Sequence, residues 1–379
     1  MSPDEERRAR RRVLHARVQA FIAAAARGDA GPGSGADGFD ALACDLARYQ
    51  AEHVAPFGRL CRARGVEPAR LRAAADIPAL PTDAWKLRRI AAHPPDEDER
   101  VFRTSGTTQA ARGAHAFAST ATYVAGALAW ARRLLWPDGA SLRVLSLVAP
   151  EALAPDSSLG FMIARFAEAL GGRASFHWDG HALDVAGVVR ACAAARSAGE
   201  RALVAGTAFA FVALADAVAE GACALPAGSR VMQTGGVKGR TREVEPRALY
   251  ATLAARFAVP PSHVVGEYGM TELSSQLYEG SLAAALGHPL GAVGYVPPPW
   301  LRVTAVDPVS LAPLPPGARG LARFVDLANV DSAVAVQTAD LVAVGTDGAV
   351  ELFGRAPGAE PRGCSLAVEA ALGEPDTRA

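Results

Sequence analysis

The chain has 379 residues, of which 50% are hydrophobic and 21% are charged, and its 39 basic residues equal its 39 acidic residues. This length predicts two or three domains, and the composition is that of a folded chain rather than a disordered one. The balanced charge disfavours a nucleic-acid-binding protein, which normally has a basic excess. Because no run of about 18 apolar residues is free of charge and proline, the sequence predicts no membrane span.

The N-terminal segment lacks the features of a targeting sequence. It has no unbroken apolar core with a cleavage site, and Asp4, Glu5 and Glu6 argue against a transit peptide, which is poor in acidic residues. The five cysteines include no CxxC pair, and their odd number disfavours a disulfide framework. A reducing cytoplasm is therefore the expected location.

The first hundred residues are predicted to be mostly helical. Ser2, followed by a proline and three acidic residues, is a typical helix start, and this helix is expected to end near Arg27. Residues 28–38 are rich in glycine and predict a flexible connection, after which helical spacing returns over residues 39–64. We expect residues 1–100 to pack on the part that follows.

From about residue 101 the pattern alternates between short apolar runs and helical segments. Buried strands are predicted over residues 144–149, 202–206, 230–236 and 263–269, and helices over residues 158–172, 185–199, 210–221 and 242–257. Alternating strands and helices indicate a parallel α/β sheet, in which ligands bind beyond the carboxyl ends of the strands. After residue 299, short β-rich runs predict a small antiparallel sheet or barrel. The predicted parts are residues 1–100, 101–299 and 300–379.

Hydroxyl groups dominate the loop after the predicted strand at residues 101–103, which reads Thr104, Ser105, Gly106, Thr107 and Thr108. Hydroxyls and backbone N–H groups of this kind can bind a phosphate. The loop is not a P-loop because no lysine follows it. Taken alone, such a cluster is more often a polar turn.

A pair of glycines, Gly235 and Gly236, follows another predicted strand and allows a flat ligand to approach the backbone. Lys238, just beyond them, can reach a phosphate or a carboxylate as a point charge. An ordinary turn before a helix is the alternative, and the residues alone favour it slightly.

The next strand is followed by an aromatic ring, a hydroxyl and a carboxylate, carried by Tyr268, Thr271 and Glu272, with Glu267 and Gly269 beside the ring. These groups suit a purine ring, a phosphate oxygen and a divalent cation respectively. In isolation, Tyr268 fits a core residue equally well.

Asp340 in the sequence Thr338-Ala339-Asp340 can accept two hydrogen bonds from vicinal hydroxyls, and Arg355 follows it. The alternative is an Asx turn. Each of the four loops is a modest signal. Together they describe a Mg–ATP site in which the α-phosphate is the reacting centre.

These motifs, in this order, resemble those of the adenylate-forming superfamily of acyl-CoA synthetases and adenylation domains. More closely, the chain resembles the acyl-protein synthetase subunit of the fatty acid reductase complex of luminous bacteria and its relatives. The resembling segments lie within residues 40–372 and include VFRTSGTT, GEYGMTELSSQLYE and FGRAPGAEPRGCSLAVE. The resemblance implies an α/β fold with parallel and mixed sheets, helices and a small β-rich C-terminal subdomain. It also implies that the mobile C-terminal domain of most of the superfamily is lacking.

The resemblance assigns roles to individual residues. It implies that residues 104–108 bind the phosphates of ATP, that Tyr268 stacks on adenine and that Thr271 contacts the α-phosphate. It further implies that Glu272 holds Mg²⁺ and that Asp340 binds the ribose hydroxyls.

Arg355 is expected beside the nucleotide. One departure is Gln109, which replaces a glycine of the superfamily loop and is expected to loosen the phosphate site.

A cysteine near the C-terminus accepts the acyl group as a thioester in the luminous relatives, and Cys364 matches it. The implied activity is ATP-dependent conversion of a carboxylic acid, in this family a fatty acid, to acyl-AMP and then to a thioester on Cys364. An acyl reductase is the implied partner. From the residues alone, Cys364 is more typical of a small buried hydrophobe.

Only two of the 39 basic residues are lysines, namely Lys86 and Lys238. We hypothesise that Lys238 replaces the catalytic lysine of the missing domain and bridges the carboxylate and the α-phosphate. A surface lysine in a loop is the alternative. His115, on a predicted strand after the phosphate loop, lines the acyl pocket or is a hydrogen-bonded core histidine.

Two other functions stay open. In the first, the protein forms acyl-AMP and transfers the acyl group to coenzyme A or to a carrier-protein thiol. In the second, the protein is not an enzyme, and its degenerate nucleotide site serves as a scaffold for a reductase. The sequence identifies neither the acid nor the oligomeric state.

Overall fold

The computed structural model describes residues 2–28, 38–104, 112–235 and 245–356, and the structural statements below refer to these residues. Their α-helices are α1 (Pro3–Arg27), α2 (Phe39–His53), α3 (Ala55–Ala63), α4 (Ala84–Leu87), α5 (Ala121–Leu134), α6 (Ser158–Ala169), α7 (Val185–Ser197), α8 (Ala208–Ala217), α9 (Pro246–Phe257) and α10 (Ser281–Ala285). Their strands are β1 (Leu80–Pro81), β2 (Arg100–Arg103), β3 (Ala114–Phe117), β4 (Arg143–Ser146), β5 (Ala174–Phe176), β6 (Ala202–Thr207), β7 (Arg230–Thr234), β8 (Val264–Tyr268), β9 (Leu277–Glu279), β10 (Tyr295–Val296), β11 (Leu301–Val306), β12 (Arg319–Asp326), β13 (Ala335–Val344) and β14 (Val350–Arg355). None of the described helices is both long and apolar enough to cross a membrane.

The chain forms two compact units. The first, here called the terminal unit, comprises Met1–Ala129, Met270–Ser275 and Pro297–Ala379. The second, the central unit, comprises Trp130–Gly269 and Gln276–Val296. The three parts predicted from the sequence stay a proposal.

The central unit contains the predicted parallel sheet. Strands β5, β4, β6, β7 and β8 are parallel neighbours in that order, and β9 and β10 extend the sheet in antiparallel pairing. These strands are apolar because helices cover them. The buried core contains Val204 and Val231 from the strands and Phe211 and Phe257 from helices α8 and α9. The parallel register aligns the carboxyl ends of β7 and β8.

The terminal unit contains the hairpin β2–β3 and the antiparallel sheet β11-β12-β13-β14. The predicted antiparallel sheet is thus present. Two of the β-rich runs expected as separate strands, residues 333–338 and 341–345, form the single strand β13. Thr338 continues the strand because its hydroxyl donates to the Ala322 carbonyl, at 3.0 Å. The register shifts between Asp340 and Val342, and β1 pairs with β13 in parallel.

Two predicted helices differ from the observed ones. The helical segment at 39–64 is divided into α2 and α3 at Val54, because Pro56 has no N–H to donate and stands in the first turn of α3. Helix α9 begins at Pro246, whereas the sequence placed Glu245 and Pro246 inside it. Glu245 is instead the N-cap and accepts the N–H of Ala248.

Helix α1 is attached to the terminal unit by two sets of polar contacts. Three arginines of α1 donate hydrogen bonds to the carboxylate of Glu97, namely Arg7, Arg8 and Arg11. Hydrogen bonds from these guanidinium groups lower the pKa of Glu97 to about 2. One turn further along α1, His15 Nε2 lies 3.0 Å from Oδ1 of the buried Asp331.

Candidate active site

The hairpin β2–β3 carries the first predicted residue, Thr104, at its open end. The Thr104 N–H donates to the Gly113 carbonyl, and the Gly113 N–H donates to the Thr104 hydroxyl oxygen, each at 2.9 Å. Because the Thr104 hydroxyl oxygen accepts this bond, the hydroxyl O–H can still donate a hydrogen bond to a phosphate oxygen. The rest of the predicted phosphate loop, Ser105, Gly106, Thr107 and Thr108, lies outside the described residues.

His115 lies on β3 with no exposed surface. Burial lowers the pKa of His115 to about 4, so the ring is neutral at physiological pH. Its Nδ1 lies 2.7 Å from the Thr271 carbonyl oxygen, and since a carbonyl only accepts, Nδ1 carries the proton. Nε2 is then an acceptor, and it has no hydrogen-bond partner among the described residues.

Glu272 follows Thr271 and is almost completely buried. Burial raises the pKa of the Glu272 carboxyl to about 7, while the charges of Lys86 and Arg355 act in the opposite direction. A Cβ at position 113 would lie 3.6 Å from Glu272 Oε1, so the hairpin end and the carboxylate are direct neighbours. The terminal unit therefore brings together Thr104, His115, Thr271 and Glu272.

The segment after Glu272 is held by side chains from the last residue of β12 and from the loop between β12 and β13. Asn329 donates to the Glu272 carbonyl at 2.9 Å and accepts from the Ser274 hydroxyl at 2.6 Å. Asp326 accepts from the Ser274 N–H at 3.0 Å and from the Ser275 hydroxyl at 2.7 Å. These buried bonds fix the backbone that carries Thr271 and Glu272.

The same loop also fixes the end of β3. Asp331 accepts the backbone N–H groups of Ala118 and Ser119, at 2.9 and 3.2 Å. Sequence reasoning did not single out Asp326, Asn329 or Asp331. The available signal was the polar composition of DLANVDS between two buried apolar strands, which requires internal partners.

Asp340 and Arg355 are register partners on β13 and β14. The Arg355 Nε donates to Asp340 Oδ1 at 3.2 Å, and the arginine side chain is 70% exposed. The Asp340 N–H donates to the Thr338 hydroxyl at 3.1 Å. Asp340, predicted to bind the ribose, and Arg355, predicted beside the nucleotide, are thus adjacent.

In the central unit, Thr234 and Glu267 are register partners at the carboxyl ends of β7 and β8. Burial raises the pKa of Glu267 to about 7, and a hydrogen bond from the Thr234 hydroxyl acts in the opposite direction. A Cβ on Gly269 would lie 2.5 Å from Glu267 Oε1, so the glycine is needed for this close approach. Gly235, beyond Thr234, has φ +75°.

Tyr268 ends β8 with its ring in edge contact with Tyr295, at 6.5 Å between centroids. The strand before it is anchored by the Gly266 N–H, which donates to Glu279 Oε2 at 2.7 Å. The phenol of Tyr250 accepts from the Gln233 amide at 3.0 Å. The central unit thus brings together Gly235, Glu267, Tyr268 and Gly269 at adjacent strand ends.

Three predicted residues, Gly236, Lys238 and Cys364, lie outside the described residues. A cavity of about 530 Å³ in the central unit is lined by Tyr250, Val264 and Glu279 among others. Since Val264 begins β8, this cavity lies at the opposite end of the strand from Tyr268 and contains none of the predicted site residues.

The backbone is similar to solved structures of 2-hydroxyisobutyryl-CoA ligase. An open conformation in complex with 2-HIB-AMP and CoA matches with a TM-score of 0.60 and 16% identity, over 83% of this chain and 74% of that one. The postadenylation state with 2-HIB-AMP matches with a TM-score of 0.60 and 15% identity, over 83% and 67%. The thioesterification state with 2-HIB-AMP and CoA matches with a TM-score of 0.59 and 16% identity, over 94% and 69%.

No protein-family model and no curated protein sequence matches the chain. The structural likeness shows the fold, which is the mixed α/β fold of adenylate-forming enzymes. The fold class predicted from the sequence motifs is confirmed.

Proposed function

We propose that the protein is an ATP-dependent ligase that converts a carboxylic acid to acyl-AMP and transfers the acyl group to a thiol. The observation that carries this proposal is the buried Glu272, fixed beside the hairpin end at Thr104 and influenced by the charges of Lys86 and Arg355. It stands in a chain with the fold of a ligase whose solved complexes contain an acyl-AMP.

The first step forms a bond between a carboxylate oxygen and the α-phosphorus of ATP. The bond from that phosphorus to the β-phosphate oxygen breaks, and its electron pair leaves with pyrophosphate. The protein contributes mainly position and charge to such a step. We propose that Thr104 and residues 105–108 bind phosphates, that Thr271 contacts the α-phosphate and that Tyr268 stacks on adenine.

Asp340 is proposed to bind the ribose, and Arg355 is proposed to lie beside the nucleotide. Gly235, Gly236, Glu267 and Gly269 are proposed to form the surroundings of the base. Lys238 is proposed to bridge the carboxylate and the α-phosphate. A Lys238→Met protein should form acyl-AMP more slowly, and an unchanged rate would remove this role.

Mg²⁺ is the proposed cofactor, and the Glu272 surroundings fit it. Burial disfavours the ionised carboxylate, and a cation bound to it would relieve that cost. Within the described ranges, no three His, Cys, Asp or Glu side chains are grouped to hold a metal. A single carboxylate is compatible with Mg²⁺, which takes its other ligands from phosphates and water. When bound, the ion neutralises phosphate charge.

The experiment that tests adenylation is acid-dependent exchange of labelled pyrophosphate into ATP. The panel should include long-chain fatty acids, aryl acids and short hydroxy acids such as 2-hydroxyisobutyrate. At least one acid should raise exchange above the acid-free rate. Absence of exchange with every acid would instead support the scaffold function.

In the second step a thiolate attacks the acyl carbon and AMP leaves. We propose Cys364 as the acceptor, since Arg355 and Arg362 are near it in sequence and positive neighbours favour the thiolate. The Cys364→Ser protein should still make acyl-AMP but carry no hydroxylamine-labile acyl group. Persistence of that label would refute the assignment. An acyl reductase is the proposed consumer of the thioester.

Coenzyme A is the second candidate acceptor, because two of the similar ligase structures contain it. Mass spectrometry of the protein after incubation with ATP and acid separates the two. A covalent acyl adduct supports Cys364, whereas acyl-CoA formation without an adduct supports coenzyme A.

A further inference from the structure

Lys86 is one of two lysines in a chain that otherwise uses arginine for its 39 basic residues. It lies on α4 and forms an ion pair with Asp83, at 2.5 Å between Nζ and Oδ1. The lysine side chain is 42% exposed, so its ammonium is accessible to a ligand. A lysine has a compact, mobile charge that an arginine cannot reproduce.

Helix α4 and the Glu272 side chain are both neighbours of Gly113, at the open end of the hairpin β2–β3. The Cβ position of residue 113 is the common point of contact, since it lies 3.5 Å from Trp85 Cβ and 3.6 Å from Glu272 Oε1. The Trp85 ring is in edge contact with His115, at 6.4 Å between centroids. Because His115 donates to the Thr271 carbonyl, Lys86 follows a residue that packs on the candidate site.

The charges of Lys86 and Arg355 lower the pKa of Glu272, and the charge of Asp83 raises it. Arg355 is paired with Asp340, the proposed ribose ligand. Of the two cations that act on Glu272, Arg355 has a proposed place beside the nucleotide, whereas Lys86 has no proposed role.

We propose that Lys86 is a further catalytic residue of the adenylation step, whose ammonium binds phosphate oxygens of ATP beside Glu272 and stabilises the charge on the departing pyrophosphate. This inference rests on the proposed function. The displacement needs no proton transfer, because a carboxylate oxygen attacks and pyrophosphate leaves with the bonding electron pair. A fixed positive charge near the leaving oxygens lowers the barrier.

The scarcity of lysine allows a direct binding test. Pyridoxal phosphate followed by borohydride labels accessible amines, and peptide mass spectrometry then reports Lys86, Lys238 and the N-terminus separately. We expect Lys86 to be labelled in the free protein and protected by Mg–ATP without any acid. The Lys238→Met protein should show the same protection of Lys86, and the protection would then not depend on Lys238. Labelling of Lys86 that Mg–ATP does not reduce would overturn the proposal.

Kinetics then test the catalytic role. Lys86→Met should lower the kcat of ATP–pyrophosphate exchange by about 100-fold, with a smaller change in the KM for ATP, since the charge acts on the leaving group. Lys86→Arg should recover part of the rate, and Arg88→Met, which removes an exposed cation two residues away, should leave it unchanged. Thermal unfolding of each variant shows whether a loss reflects misfolding.

The outcomes separate the two proposals. If the natural chain exchanges pyrophosphate and folded Lys86→Met does so equally well, the Lys86 proposal is wrong and the proposed function stands. If none of the tested acids supports pyrophosphate exchange by the natural chain, the proposed function fails. Protection of Lys86 by Mg–ATP would then report nucleotide binding without catalysis, and the catalytic role of Lys86 would be overturned as well.

Discussion

The two units fix their candidate site residues in different ways. In the central unit, Glu267 and Tyr268 are positioned by backbone pairing between β8 and its neighbours. In the terminal unit, Thr271 and Glu272 depend on side chains from a distant loop, such as Asn329, which is 57 residues away from Glu272. A backbone ladder tolerates most side-chain changes, whereas a side-chain network is sensitive to single substitutions. We therefore expect mutations to affect the terminal unit more.

The largest effect is expected for Glu272→Gln. Loss of the carboxylate should reduce ATP–pyrophosphate exchange by about 100- to 1000-fold. The free protein should nevertheless become more stable at pH 8, because burial raises the pKa of Glu272 from 4.5 to about 7. The natural chain therefore loses stability as the pH rises from 4.5 to 7, and the full cost is present at pH 8. The gain should be about 1–3 kcal/mol and should be largely lost at pH 4.5, where the carboxyl is protonated in the folded protein and half protonated in the unfolded protein.

Exchange assays and thermal unfolding at pH 8 and pH 4.5 measure these two effects. The exposed-surface variant Glu351→Gln is the control. If Glu272→Gln and the natural chain exchanged pyrophosphate at equal rates, Glu272 would have no role in the adenylation site.

A smaller effect is expected for Asn329→Ala, which breaks the network directly. It leaves the Ser274 hydroxyl and the Glu272 carbonyl without their buried partner, at a cost of about 2–4 kcal/mol. Urea unfolding should show the loss, and exchange should fall as Thr271 and Glu272 lose their fixed position. If stability fell by less than about 0.5 kcal/mol, the network would not be the support described above.

Glu267→Gln is the central-unit counterpart of Glu272→Gln and should change activity by only a few-fold. The two glutamates have similar burial and the same raised pKa of about 7, so the gain in stability at pH 8 should match. The amide oxygen can still accept from Thr234. Kinetics and unfolding of the two variants side by side provide the test, and an equally severe loss of exchange would remove the distinction between the units.

The smallest effect is expected for Arg355→Ala. Its pair with Asp340 is exposed to solvent, and such pairs contribute about 0–1 kcal/mol. The free energy of unfolding should hardly change, while the KM for ATP should rise modestly if Arg355 lies beside the nucleotide. A KM equal to that of the natural chain would exclude this contact.

Much of the fold could be predicted because its signals are local. Buried strands such as β6 and β8 read as short apolar runs, and α1 has a strong start at Ser2 and a glycine at its end. The predicted start of α9 was wrong because Glu245 caps the helix instead of lying inside it. The predicted division of β13 was wrong because the buried Thr338 continues the strand. The motif residues in each unit could be found for the same local reason.

The support of the site could not be predicted from sequence spacing. Asp326 reaches Ser274 and Ser275 across 52 and 51 residues, and Asp331 reaches Ala118 across 213. Hydrophobic periodicity carries no information on which distant donor such a carboxylate will meet. Lys86 was noticed only because lysine is scarce in the chain, and the sequence assigned it no role, since its place near the candidate site depends on tertiary packing.

The contact between His15 and Asp331 has a consequence for shortened versions of this protein. Asp331 is almost completely buried, and His15 on α1 is one of its polar partners. Truncation to residue 38 would remove that imidazole together with all three arginines on Glu97. An N-terminally trimmed chain would therefore lose solubility and refolding yield before it lost any residue of the candidate site itself.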